Sequence, residues 1–313
     1  MSDRFVAVVG TVNHDVVIGA DGSRFRSLGG ILYNVIPLAV LLQDTPLRVR
    51  AIGRLGAEHR EEARRLLEPF PNAVADHLIA DPAGTNESVL DYSEPGERRE
   101  SAEVNVAALT GADLAPVAGA EAVLVNMISG CDVGRATLAG VFRAGPRLRY
   151  LDVQALARTT RGPRRPRTVP DGAAWARLFP VVRGNREEIG CLGGSPGHPE
   201  RAARRLLAAG AEEVLATGGA DGIRRWTSGS AGVEAGSFDA VPCAEPRDPT
   251  GCGDSFLAAV VAGRIRGLDG PASVRLGAAV AARVAALEGL EALRALQEER
   301  VELLAAARGG VPG

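Results

Sequence analysis

Arg247-Asp248-Pro249-Thr250-Gly251-Cys252-Gly253-Asp254-Ser255-Phe256 brings two carboxylates, two flexible glycines and a proline of fixed φ into one short stretch. The run that follows, Leu257 to Ile265, is rich in helix formers and stops near Gly267. This pattern predicts a helix opening at about Asp254. A glycine-lined turn at a helix start aims free N–H groups at one spot, and the helix dipole adds positive potential there. Such a spot suits an anion, phosphate above all. A carboxylate inside it would repel phosphate, so it needs a task, and taking the proton of an attacking hydroxyl is one. The plain alternative is an ordinary turn with Asp254 as the helix cap.

Asp248-Pro249-Thr250-Gly251-Cys252-Gly253-Asp254-Ser255-Phe256 resembles the C-terminal signature of the ribokinase / phosphofructokinase-B family of sugar and nucleoside kinases, commonly D-T-x-G-A-G-D-x-F. Pro249 and Cys252 depart from the commonest residues, while the glycines, Asp254 and Phe256 match. The resemblance implies that the backbone of Gly251, Cys252 and Gly253 forms an anion hole for the transferred phosphoryl group, with Thr250 beside the donor. It makes Asp254 the catalytic base.

The chain that must position this turn has 313 residues, 46% hydrophobic and 24% charged, enough for one large α/β domain or two small ones. We take residues 1–313 as a single domain. A net charge of -2 gives no general attraction to nucleic acid or acidic membranes. All 36 basic residues are arginine. That excludes a Walker A lysine, a protein-kinase strand lysine and a pyridoxal Schiff base, each of which needs the amine. Cys131, Cys191, Cys243 and Cys252 are too widely spaced for a disulfide framework or a zinc site. Met1-Ser2-Asp3-Arg4 leads straight into an apolar strand too short for a signal peptide, and no window nears the length of a membrane span. A cytoplasmic protein is expected.

Phe5 to Gly10 reads as a buried strand, and Thr11-Val12-Asn13-His14-Asp15 follows at its C-terminal edge, where open α/β sheets bind ligands. The family carries an aspartate there that grips sugar hydroxyls, so the resemblance implies Asp15, with Asn13 beside it, as substrate ligands. Gly29-Gly30-Ile31-Leu32-Tyr33-Asn34 resembles the family's G-G-x-x-x-N signature. It implies that Gly29 and Gly30 let substrate approach and that Asn34 binds a hydroxyl. Asn185-Arg186-Glu187-Glu188 resembles its N-x-x-E motif, implying that Asn185 and Glu188 organise Mg²⁺ through water near the phosphates. Thr217-Gly218-Gly219-Ala220-Asp221-Gly222 resembles its T-x-G-x-x-G loop, implying ATP contacts at Thr217, Gly219 and Gly222. The small residues Gly277 to Ala282 suit either packing beside adenine or ordinary helix packing.

Two β-hairpins, at about 12–27 and 84–106 with a Pro95-Gly96 turn in the second, would form a lid that excludes water. Their edges could join two copies into a homodimer. The basic stretch Arg158 to Arg167 is either a solvated loop or a contact for an anionic group on the substrate. It has no interleaved aromatics, which ranks nucleic-acid binding lowest. Gly193-Gly194-Ser195-Pro196-Gly197 matches the hydrolase elbow as a string, but Pro196 has no N–H to serve as oxyanion donor. A last amphipathic helix is expected near Leu290 to Ala307. The expected whole is a ribokinase-like three-layer α/β/α sandwich with a β-lid, acting as an ATP- and Mg²⁺-dependent sugar or nucleoside kinase. The alternatives are a kinase of a phosphorylated sugar and a regulatory protein that keeps the fold.

Overall fold

The computed structural model describes residues 4–19, 21–94, 99–230 and 232–308. The chain opens with β1 (Phe5–Thr11), runs out into β2 (Asn13–Ile18) and β3 (Arg24–Leu28), and returns through α1 (Leu32–Leu42). It continues with β4 (Arg48–Gly56), α2 (Arg60–Leu67) and β5 (Ala73–Asp81), then leaves again for β6 (Asn86–Asp91) and β7 (Arg99–Glu103). Next come β8 (Ala122–Asn126), α3 (Arg135–Val141), β9 (Leu148–Asp152) and a two-residue strand, β10 (Gly162–Pro163). Helix α4 (Gly172–Ala176), β11 (Val181–Asn185), α5 (Arg186–Leu192), α6 (Pro199–Ala209) and β12 (Glu213–Thr217) continue the alternation. The hairpin β13 (Ile223–Gly229) and β14 (Gly232–Phe238) precedes α7 (Cys252–Ile265) and α8 (Gly270–Ala285).

The main sheet has nine strands in the order β14-β13-β12-β11-β9-β8-β1-β4-β5, parallel from β12 to β5. Strand β1 shows why helices cover both faces. All of its residues are buried, and successive side chains point to opposite sides. Val6 and Val8 join the core shared with α1, α7 and α8. Phe5, Ala7 and Val9 join the one shared with α4, α5 and α6. The expected sandwich is therefore present. The expected final helix is not continuous: residues 289–306 form three short helices.

A second sheet, ordered β10-β7-β6-β2-β3, forms the lid. Strands β2, β3, β6 and β7 lie within or beside the stretches 12–27 and 84–106, and β2 also pairs in parallel with β6. The Pro95-Gly96 turn lies outside the described residues. Strand β10 comes from the basic stretch, so that stretch is not simply a solvated loop. Gly162 and Pro163 pair with Ala102 and Ser101 of β7. Arg164, buried behind them, donates to the carbonyls of Ser129 and Thr159.

Helix α1 is buried along its whole length, and Pro37 lies inside it. Proline has no N–H for the carbonyl four residues back, which here is Tyr33. That carbonyl accepts instead from the buried Ser255 hydroxyl of α7, at 3.1 Å. Ser255→Ala should therefore cost about 1–3 kcal/mol in chemical denaturation. In a Pro37→Ala background, where residue 37 supplies the N–H, the same change should cost under about 1 kcal/mol. Equal losses in both backgrounds would mean that the carbonyl is satisfied in another way.

Candidate active site

Helix α7 begins at Cys252, with Gly251 as its cap in the left-handed region at φ 75°. Asp254 therefore sits inside the first turn and is not the cap, which removes the plain reading of this motif. The Asp248 carboxylate accepts from the Thr250 N–H at 2.9 Å and so shapes the approach to the turn. The Cys252 N–H bends back to the Pro249 carbonyl at 3.3 Å. That narrows the anion hole expected over Gly251 to Gly253, because Cys252 spends its amide locally. Gly253 and Asp254, next in the first turn, have no preceding helical turn to bond back to.

Asp254 is braced from three strands and helices at once. Its Oδ1 accepts from Asn126 Nδ2 at 2.6 Å and from Gln154 Nε2. Asn126 Nδ2 also donates to Asn34 Oδ1 at 2.8 Å, and Asn34 Nδ2 donates to the Asp254 carbonyl at 2.9 Å. Asn34 is fully buried, so it holds Asp254 in place; the expectation that it binds a substrate hydroxyl does not match its position. Both braces on the carboxylate use Oδ1, so a proton can be taken at Oδ2. Burial pushes the Asp254 carboxyl above its ordinary range, while Arg183 and the two amides pull it back.

Asp254, Gln154 and Arg183 line one cavity of about 500 Å³, between the lid and the C-terminal edge of the sheet. At its lid end lie Asn13, Asp15, Gly30, Ser88 and Glu100. Gly29 is needed because any Cβ there would collide with the Asp15 carboxylate. Asn13 donates to Ser88 at 3.1 Å, and its buried Oδ1 has no partner among the described residues. At the other end lie Asn185, Glu188, Thr250, Gly251 and Gly253. Asn185 and Glu188 form a capping box at the start of α5: Glu188 accepts from the Asn185 backbone and side-chain nitrogens, and Asn185 Oδ1 accepts from the Glu188 N–H. Arg158 and Arg164 also line the cavity. Arg158 stands 3.4 and 3.5 Å from Glu187 and Glu188.

Arg183 is a further site residue. It is 6% exposed, its Nη1 donates to both Asp152 oxygens at 3.0 and 2.9 Å, and its Nη2 donates to Thr217 Oγ1 at 2.7 Å. Burial opposes its charge, but Asp152, Glu188 and Asp254 together keep the guanidinium protonated. Thr217 is thus engaged by Arg183, and neither it nor Gly219 and Gly222 lines the cavity. Gly277 packs on the Phe256 ring, which favours ordinary helix packing for that stretch. Burial and the neighbouring Asp248 and Asp254 push the Cys252 thiol up to about 12, so it stays neutral and no nucleophile. All four cysteines are free. Ser195 of the hydrolase-like string accepts from or donates to nothing catalytic; its hydroxyl is held by Arg205 at 2.9 Å.

Sequence reasoning missed Asn126, Gln154, Asp152 and Arg183. The signal for Asn126 and Asp152 was present, since polar residues ending buried parallel strands lie where α/β sheets bind ligands. Arg183, a charge inside the apolar run Val181-Val182-Arg183-Gly184, was a second signal.

Comparison with known proteins agrees with this fold. Residues 148–294 match the pfkB family carbohydrate kinase profile. The matched segment is just under half of the chain. The fold extends the likeness to almost the whole chain. Ribokinase from Arabidopsis thaliana, complexed with ribose and ATP, is 19% identical with a TM-score of 0.73, covering 97% of this chain and 99% of that one. Ribokinase from Giardia lamblia is 16% identical with a TM-score of 0.78, again over 97% and 99%. A pyrophosphate-dependent kinase in the ribokinase family is 20% identical with a TM-score of 0.76, over 93% and 99%. At these identities the likeness is one of fold. Among curated proteins the sequence has no significant match. Among the described residues, no helix is long and apolar enough to cross a membrane.

Two outcomes follow from how the Asp254 carboxylate is held. A carboxyl raised by burial stabilises the fold while protonated, and that contribution is lost as pH rises through its folded-state value. Asp254→Asn removes this loss and keeps an amide oxygen for Asn126 and Gln154. Its melting temperature at pH 8 should equal or exceed the parent's, while turnover falls roughly 10²–10⁴-fold. The acid limb of the parent's kcat/KM should lie above the ordinary carboxylate value of about 4.

Gln154 carries a strained φ of 30° while holding Asp254. Gln154→Gly relieves strain of roughly 1–3 kcal/mol. The melting temperature should hold or rise, and turnover should fall roughly tenfold as a bond to a charged group is lost. A drop in stability with unchanged turnover would assign Gln154 to the fold alone.

Proposed function

We propose that this kinase transfers a phosphoryl group from a phosphoric anhydride to one hydroxyl of a neutral, polyhydroxylated acceptor of the sugar class, with Asp254 as the base. The observation that carries the reading is Asp254 itself: a carboxylate raised by burial, braced through Oδ1, and set one residue past the glycine of an anion-binding turn. The acceptor would lie among Asn13, Asp15, Ser88 and Glu100, with the reacting hydroxyl facing Asp254. Asp254 takes the hydroxyl proton as the oxygen attacks phosphorus. The first-turn amides of α7 receive the charge on the transferred group. The lid excludes water, which would otherwise compete as acceptor.

The lid end of the cavity favours a neutral acceptor over a phosphorylated one. Arg164 has a carboxylate, Glu100, 3.7 Å away, and its Nη1 is spent on backbone carbonyls. Asp15 and Glu100 would both repel an acceptor phosphate. The intact base and glycine turn speak against a purely regulatory protein. Relatives of the same fold include a ribokinase complexed with ribose and ATP and a pyrophosphate-dependent kinase, so both donors come into consideration. Mg²⁺ fits the site only through its water shell, because both Glu188 oxygens already accept from Asn185 and no cluster of three ligating side chains exists among the described residues. Glu188 and Asn185 would hold those waters; when bound, the ion neutralises donor charge. A homodimer through the free edge of β3 remains part of this proposal, to be tested by sedimentation.

The test is a product-release screen over sugars, cyclitols, nucleosides and their monophosphates. Neutral polyols should be turned over in preference to phosphorylated ones. Asp15→Asn should raise the acceptor KM at least about tenfold, as expected for a lost bond to a charged group, with donor KM little changed. Preference for a phosphorylated acceptor would reverse the assignment of the lid end. Tight polyol binding without turnover under any donor would favour the regulatory reading.

A further inference from the structure

We propose that the guanidinium of Arg183 is the resident cation of the donor site, and that the smallest complete donor is a bare diphosphate, inorganic pyrophosphate, for which the nucleoside of ATP is dispensable. The inference rests on the kinase reading above and deepens it.

The first argument is position. Arg183 reaches from β11 to the underside of the glycine turn, and a Cβ on Gly253 would collide with its Nη2. Gly253 thus leaves room for a cation at the start of α7, where the helix already favours an anion. Arg183 lines the cavity beside Thr250, Gly251, Gly253 and Asp254.

The second is preorganisation. The two bonds to Asp152 and the one to Thr217 fix the guanidinium before any ligand arrives. Its Nε is buried without a partner among the described residues, and so is the neighbouring Thr250 Oγ1. Unspent polar groups at such a place are costly unless a ligand uses them. Arg158 adds a second cation on the same cavity wall. Its contacts with Glu187 and Glu188, at 3.4 and 3.5 Å, are loose enough to yield to a phosphate.

The third is what lies where a nucleoside would be gripped. The Thr217 hydroxyl is bonded to Arg183, and no residue of 217–222 or of α8 lines the cavity. Arg186 lies across Gly218, where a Cβ would stand 3.0 Å from its guanidinium, and it pairs with Asp221 at 2.9 Å. An exposed pair of this kind is weak and is no barrier to ATP. The consequence is narrower: fixed, buried recognition is concentrated on the phosphates.

With pyrophosphate, the acceptor oxygen bonds to one phosphorus as the bridging P–O bond breaks. Asp254 takes the acceptor's proton, and orthophosphate leaves with the electron pair of the broken bond.

The experiment compares pyrophosphate and ATP as donors for the parent enzyme with the acceptor found by the screen. It also measures imidodiphosphate binding by calorimetry without acceptor. Pyrophosphate should sustain turnover with kcat/KM at or above that for ATP. Arg183→Gln should weaken imidodiphosphate roughly 10²-fold, the scale of losing a preorganised charge partner. Acceptor binding should change little. Where Arg183→Gln fails to fold because Asp152 is stranded, Arg183→Lys and the pair Arg183→Gln with Asp152→Asn take its place. A purely structural role would lower donor and acceptor affinity together. Turnover with ATP while pyrophosphate neither reacts nor competes would overturn the proposal, as would failure of imidodiphosphate to bind the parent. If no donor supports turnover, the kinase reading fails, and the binding measurement still decides the role of Arg183.

Discussion

A carboxylate proposed to accept a proton has to be held ionisable inside protein, and the surroundings of Asp254 answer that constraint. Desolvation alone favours the protonated form of Asp254, which cannot take up a proton. Two amide donors and a guanidinium counter it, and each comes from a different strand or its end: Asn126 as the last residue of β8, Gln154 just after β9, Arg183 within β11. Only a parallel sheet ends so many adjacent strands at one edge. The architecture is thus the means by which three distant segments converge on one oxygen and its surroundings.

The same economy appears in the contacts between helices. Pro37 removes a hydrogen bond within α1, and Ser255 fills the vacancy from α7, one residue from the base. Asn34, on the same turn of α1, holds the Asp254 backbone. A local defect in one helix becomes the register mark for the helix that carries the chemistry. Buried polar groups with few alternatives specify geometry in a way that apolar packing alone does not.

The glycine turn, the alternation of strands and helices and the existence of a lid were legible because each has a short-range cause: φ freedom, periodicity, turn chemistry. Asn34 was legible as a site residue but not in its role, since whether an amide faces a ligand or a neighbouring backbone depends on Asn126, far along the chain. The role of Thr217 was hidden for the same reason, as its partner Arg183 sits on an adjacent strand. The break-up of the final helix was illegible because an amphipathic pattern records which residues are buried and not whether the backbone stays continuous. Strand β10 was missed because two residues carry no periodicity, and only pairing with β7 makes them a strand.

That last pairing bears on how the molecule assembles. The lid is stitched from three separate excursions, residues 13–28, 86–103 and 162–163, with core strands laid down between them. Its edge strand β10 leaves the main sheet only after β9 is in place. Contacts of such sequence separation close late, because loop entropy must be overcome before they contribute. On a chain emerging from its N-terminus, the cover of the acceptor site cannot be complete until more than half of the protein exists. A chain that ends before residue 162 would therefore lack the β10 edge of this sheet, and the lid could not be moved to another scaffold as a single insert.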